Sequence, residues 1–254
     1  MKKALIVLAV TAIAVPALAA KPAPIYTDNF DGYADGTTLA GNGDWTLENG
    51  KAREYAPVIQ SGAVKYAPAG QEPDNVWLKL GTGGANVHGA LSTYIMEFDL
   101  TIDDLSAFGN NPKPKIFGNL KGSFGDGQVN LSVQFVENAI TGNTMELGLY
   151  DATDQDYAWS GLTFKAGDTV TVAFGHVDNE ASLWLNKDFS VDTPDATNSS
   201  SLYDASTGFM SASWGPGPAY TMDNLAIYDV VPEPATMSLL GLGGLAVLRR
   251  RRRK

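Results

Sequence analysis

Between residues 20 and 231 apolar and polar residues alternate over short runs, separated by clusters of Gly, Asn, Asp and Pro. A period of two sends successive side chains to opposite faces of a strand. The clearest runs are 76–80, 91–103, 128–137, 144–150, 169–177, 181–186, 208–213 and 221–229. No long stretch follows the helical period. Ten or more short strands joined by turn residues predict an antiparallel sandwich or barrel.

The alternation also assigns faces. In the 91–103 run, Tyr94, Met96, Phe98, Leu100 and Ile102 share the apolar face, and Glu97, Asp99, Thr101 and Asp103 share the polar one. In the 128–137 run, Val129, Leu131, Val133 and Phe135 point inward, and Gln128, Asn130, Ser132 and Gln134 form an outward polar stripe. Val170, Val172, Phe174 and His176 share a face, and Asp178-Asn179-Glu180 turns the chain into 181–186, which predicts a hairpin. One-sided strands suit antiparallel sheets with one wet face. The polar stretches 110–115 and 193–201 read as surface loops, and no internal repeat of 20–50 residues occurs.

The two ends depart from this pattern. Lys2 and Lys3 precede an apolar run over 4–15, and Ala17-Leu18-Ala19 supplies the small residues that signal peptidase needs. Residues 1–19 therefore read as a secretory signal peptide. At the other end Pro232-Glu233-Pro234 is followed by fourteen mostly apolar residues, 235–248, and then by Arg249–Arg253 and Lys254. Fourteen helical residues rise about 21 Å against a hydrocarbon core of about 30 Å, a short span whose arginines stay on the cytoplasmic side. The prolines separate that segment from the folded body.

The triplet Pro232, Glu233, Pro234, the short glycine-containing apolar run and the arginine cluster resemble the PEP-CTERM sorting signal of Gram-negative bacteria. The resemblance implies that an exosortase recognises the signal and cleaves near the triplet. It also implies a place at the cell surface or in the extracellular matrix, and an association with exopolysaccharide. On this reading the chain divides into a signal peptide (1–19), one β-sandwich domain (20–231) and the sorting signal (232–254). The membrane is touched only by the C-terminal segment before processing.

Composition then excludes several functions. The full chain has 254 residues, no Cys and two His, His88 and His176. Thiol nucleophiles, disulfides and Cys-ligated metals are excluded, and two histidines far apart in sequence argue against a multi-His centre. Without the two ends, 10 basic residues face 27 acidic ones, a net charge of −17. Such a body repels anionic polymers unless cations bridge them, and it is no nucleic-acid binder. About 210 residues bury enough core without disulfides.

Within the body, the opening Asp28-Asn29-Phe30-Asp31-Gly32-Tyr33 and the closing Met222-Asp223-Asn224-Leu225-Ala226-Ile227-Tyr228 resemble the terminal strands of concanavalin A-like (laminin G-like) jelly rolls. The 170–174 and 181–186 segments resemble the late hairpin of that fold. The resemblance implies that the first and last strands pair. It covers lectins, glycan-binding modules, hydrolases and lyases alike, so fold alone chooses no function.

Candidate chemistry is sparse. Glu97 and Asp99 share a strand face, as a retaining glycosidase pair would. The jelly-roll hydrolases carry a further Glu just beyond, where this chain has Leu100, Thr101 and Ile102. No catalytic residue is expected. A glycan groove is expected from Trp184 with Asn130, Ser132 and Gln134, and with Glu97 and Asp99, provided that their strands face one concavity. No cofactor is required. Loop carboxylates and carbonyls are what a structural Ca²⁺ needs, and by resemblance Asp28, Asp31 and Asp223 are its candidate ligands. Asp31-x-Tyr33-x-Asp35-Gly36 opens like an EF-hand loop, but Tyr33 and Asn42 are wrong at the third and twelfth positions. The leading expectation is a non-catalytic exported protein that associates with glycan. The alternatives are a carbohydrate-active enzyme and a purely structural surface protein.

Overall fold

A computed structural model describes residues 21–47, 57–66, 76–78, 94–106, 115–119, 129–136, 143–151, 156–177, 180–199, 209–211 and 218–230. Every regular element among them is a strand. In chain order these are β1 (Tyr26–Asp28), β2 (Trp45–Leu47), β3 (Val58–Gln60), β4 (Ala63–Tyr66), β5 (Val76–Leu78), β6 (Tyr94–Asp104), β7 (Lys115–Asn119) and β8 (Val129–Val136). They continue as β9 (Thr144–Asp151), β10 (Asp156–Phe164), β11 (Thr169–Val177), β12 (Glu180–Leu185), β13 (Ala196–Ser199), β14 (Phe209–Ser211) and β15 (Ala219–Asp229). The signal peptide and the sorting helix lie outside the described residues.

The strands form two antiparallel sheets. An eight-stranded sheet runs β13-β12-β11-β6-β15-β4-β3, with β1 also paired to β15. A seven-stranded sheet runs β10-β9-β8-β7-β14-β5-β2. β1 and β15 pair as the terminal motifs imply, with Tyr26 opposite Ile227 and Asp28 opposite Leu225. β11 and β12 form the expected hairpin, Val177 opposite Glu180. The 193–201 stretch is not all loop: 196–199 pairs with β12 as an edge strand, short and polar as edges tend to be.

Between the sheets lies one core. Met96, Phe98, Leu100 and Ile102 of β6, Val170, Val172 and Phe174 of β11, and Leu183 and Leu185 of β12 meet Leu131 of β8 and Met145, Leu147 and Leu149 of β9. These are the positions the alternation sends inward. Phe98 and Phe174 meet edge to face at 6.3 Å, worth about 1 kcal/mol beyond the area they bury.

Glycines mark where the chain needs special geometry. Gly175 sits where β11 crosses β6 so closely that a Cβ would strike the Tyr94 carbonyl and lie 2.8 Å from Ile95 Cα. Ser61 and Gly62, both at positive φ, make the two-residue turn between β3 and β4, as a type I′ hairpin requires. The Asp35 carboxylate accepts the Ser61 amide and fixes that turn.

Candidate functional site

The two outer faces differ in what their side chains do. On the eight-stranded sheet, Ile95, Ala173, Trp184, Ala226, Tyr228 and Val230 form a second apolar cluster. The 186–195 loop covers it by packing Phe189 against Trp184 and Tyr228, at ring separations of 6.2 and 4.9 Å. Asp188 folds this loop by accepting the Ser190 amide and hydroxyl, and Lys187 pairs with Asp195 at 2.5 Å.

Trp184 does point away from Leu183 and Leu185, but it is only 6 % exposed and donates its indole N–H to the Asp192 carbonyl at 2.9 Å. It is therefore no stacking platform for a sugar. It also stands on a different sheet from Asn130, Ser132 and Gln134, so the expected shared concavity does not form. Glu97 and Asp99 belong to the Trp184 sheet as well, and both are engaged. Glu97 binds Lys21 at 2.7 and 2.8 Å and accepts from Tyr228. Asp99 accepts from Thr171 at 2.7 Å and Asn224 at 2.9 Å.

The candidate Ca²⁺ ligands are likewise separated in role. The Asp28 carboxylate accepts four bonds: from the Phe30 amide, the Tyr26 and Tyr33 hydroxyls and the Trp45 indole, at 2.8 to 3.1 Å. Three of these donors converge on Oδ2, so this carboxylate is engaged within its own loop. Asp31 accepts from Asn29 and lies against the Gly62 turn. Asp223 caps the Asn224 amide at 2.7 Å. Among the described residues no group of three or more metal-ligating side chains converges.

Burial first, and then the charges of Asp31 and Asp99, hold the Asp223 carboxyl above its ordinary range, against the Asn224 amide. A raised carboxylate value favours the fold below the unfolded value and loses that contribution as pH rises. Asp223→Asn should therefore stabilise the protein at pH 7 by up to about 0.5 kcal/mol after solvent screening, and the gain should vanish below about pH 4. Thermal melts of both forms at the two pH values check this.

The outer face of the seven-stranded sheet is built differently. Met145, Leu147 and Leu149 of β9 enter the core, so Glu146, Gly148 and Tyr150 face outward. The register then sets a transverse row: Tyr157 opposite Tyr150, Tyr150 opposite Asn130, Asn130 opposite Gly118, Gly118 opposite Met210, Met210 opposite Trp77 and Trp77 opposite Thr46. Seven strands at about 4.8 Å make a row about 29 Å long. Beside it a second row sets Ser132 opposite Gly148 and Gly148 opposite Trp159, and a third sets Gln134 opposite Glu146.

At one end of these rows three rings gather. Tyr150 and Tyr157 lie 4.7 Å apart, and Tyr157 and Trp159 are parallel within 4° at 5.4 Å. Trp159 lies over Gly148, where a Cβ would come within 2.5 Å of the indole. The missing side chain is what lets the ring lie against the sheet. Burial, and then the neighbouring Tyr150, hold the Tyr157 phenol above its ordinary value, so it stays a hydroxyl at neutral pH. Glu146, 9 % exposed, accepts from the Gln134 carboxamide and from the Gly161 amide. Gly161 can aim its N–H there because the register of β10 shifts between Trp159 and Thr163 and its φ is 74°.

Of the sequence candidates, Gln134 thus lies on this face, Asn130 and Ser132 hold register positions on the same strand, and Trp184 stands on the other sheet. Tyr150, Tyr157 and Glu146, grouped here, are not among the sequence candidates, and the sequence leaves Trp159 open between core and rim. The signal was present in the alternation of 144–150, whose second face reads Glu, Gly, Tyr.

Comparison with known proteins places both parts of the chain. Residues 230–253 match the PEP-CTERM protein-sorting motif. The chain carries a PEP-CTERM sorting signal. The signal marks an exported protein, processed by an exosortase and sorted to the surface or exterior of a Gram-negative cell. No curated protein matches the chain. The body of this PEP-CTERM protein is similar to the alginate lyase Aly36B, with 13% identity, a TM-score of 0.50 and coverage of 82% of this chain and 97% of that one. It is also similar to a glycosyl hydrolase family 16 protein from Mycobacterium smegmatis, with 15% identity, a TM-score of 0.47 and coverage of 81% and 100%. A beta-1,3-glucanase from Mycobacterium marinum gives 13% identity, a TM-score of 0.47 and coverage of 83% and 100%. The body is an antiparallel jelly-roll sandwich.

Proposed function

We propose that this PEP-CTERM protein binds extracellular polysaccharide, without cleaving it, on the outer face of its seven-stranded sheet. The observation that carries the reading is the array of Tyr150, Tyr157 and Trp159 beside the Gln134–Glu146 pair. Ring faces stack on the C–H faces of pyranoses, and positioned carboxamides and carboxylates bond hydroxyls. A shallow row suits a polymer that runs across the strands. On the other outer face Trp184 offers no such contact, since Phe189 covers it. The sorting address supports the same role, because it brings the protein to where exopolysaccharide lies.

A catalytic reading draws on the names of the lyase and the glucanase that share the fold. Against it, Glu97 and Asp99, the pair with glycosidase spacing, are bound to Lys21, Tyr228, Thr171 and Asn224 on the opposite sheet. The test is thermal unfolding of the processed protein with neutral and acidic polysaccharides, followed by sizing of the polymer. Ligand at 100 times its Kd adds about 2.7 kcal/mol to stability. A shift with polymer length unchanged supports binding. Shortened polymer moves the assignment to an enzyme, and no shift with any polysaccharide removes the binding role.

A further inference from the structure

The end of β15 is held down where the sorting signal begins. Val230 is 6 % exposed and packs in the apolar cluster with Tyr228, Phe189 and Trp184. Tyr228 pairs with Ile95 and Asp229 with Tyr94, and the Ile25 amide donates to the Ile227 carbonyl at 2.7 Å. Only Val231 separates Val230 from Pro232. The sorting triplet therefore begins two residues after the last buried position of the body.

Lys21 clamps this exit. Its ammonium binds both oxygens of Glu97 at 2.8 and 2.7 Å and lies 5.0 and 5.2 Å from the ring centroids of Phe189 and Tyr228. The contacts tie the start of the body to the strand that leads into the signal. Burial lowers the affinity of Lys21 for its proton, but the Glu97 hydrogen bond and charge more than restore it. The ammonium thus stays charged throughout the neutral range.

A protease that cuts near the triplet must take the residues before it in extended form into its cleft. Here those residues are the paired and buried end of β15. We infer that the Lys21–Glu97 clamp, with the Phe189–Tyr228–Val230 cap beneath it, is a brake on C-terminal processing, released when residues 228–230 lift from the sheet. The segment to be lifted is short, so local opening rather than global unfolding sets the rate. This inference deepens the sorting assignment and is independent of polysaccharide binding.

The test follows cleavage of the full chain in a host that contains the exosortase, reading the loss of the C-terminal segment by its change in length. Glu97→Ala breaks the clamp without touching the region of N-terminal cleavage, as Lys21→Ala would. It should speed C-terminal cleavage about threefold, as expected for loss of a partly exposed ion pair. A six-residue Gly/Ser insertion between Val231 and Pro232 should speed cleavage at least as much and abolish the effect of Glu97→Ala, because the triplet no longer needs the strand to open. The insertion leaves the fold untouched. Unchanged cleavage in the inserted chain overturns the inference, and so does an equal response to Glu97→Ala with and without the insertion.

Discussion

Replacing Asp28 with Ala is expected to cost about 3 kcal/mol of stability and lower the melting temperature by roughly 10 °C. The carboxylate accepts four hydrogen bonds, and two of the donors have nowhere else to go. The Trp45 indole is fully buried, so its N–H would lose its partner without reaching water. The Phe30 amide belongs to a fully buried residue at a φ of 57°, a backbone state that non-glycine residues adopt at a cost of about 1 kcal/mol or more. Asp28 holds that state by bonding the amide two residues on. Phe30 and Trp45 pack together at 6.1 Å, so release of one loosens the other. Asp28→Asn keeps one acceptor oxygen and should lose about half as much. Melts read by Trp fluorescence measure both. A loss below 1 kcal/mol for the Ala variant would mean that water takes over the four donors.

The second large effect concerns binding. Trp159→Ala should weaken polysaccharide affinity about 30-fold, since truncating an aromatic anchor of a binding contact costs about 2 kcal/mol. Trp159 stands on an edge strand and lies over Gly148, so its removal should leave the core intact. Trp184→Ala makes the informative comparison. That ring is buried beneath Phe189, so its loss should lower stability by about 3 kcal/mol and leave affinity unchanged. Titration calorimetry and thermal melts on both variants separate the two tryptophans. The reverse result, with Trp184 governing affinity, would move the binding face to the other sheet.

These two tryptophans show what the sequence could and could not carry. Alternation correctly sets Trp184 opposite Leu183 and Leu185, but it says nothing of what covers the other side. Phe189 lies on the loop that folds back over it, and that packing is tertiary. In the same way the polar stripe of β8 is legible as a stripe, but its neighbours follow from the register with β9. Strand β10 escaped because its register shift at 159–163 breaks the period of two, and the same shift delivers the Gly161 amide to Glu146. The core face of β6 and β11 was fully legible, since long unbroken strands keep one period from end to end. The pairing of first and last strands came from the resemblance of the terminal motifs. The sorting signal needed no tertiary information, because proline, apolar run and arginines act in linear order.

The position of β15 has a mechanical consequence. It is an eleven-residue strand flanked by β6 along one side and by β4 and β1 along the other. A pull applied through the end of β15 runs along the strand, parallel to both ladders. Such a load shears many backbone hydrogen bonds together instead of unzipping them one after another. The three-residue β1 at the opposite end of the chain has no such protection. A jelly roll loaded through its last strand thus resists tension by shear, whereas one loaded through its first would peel.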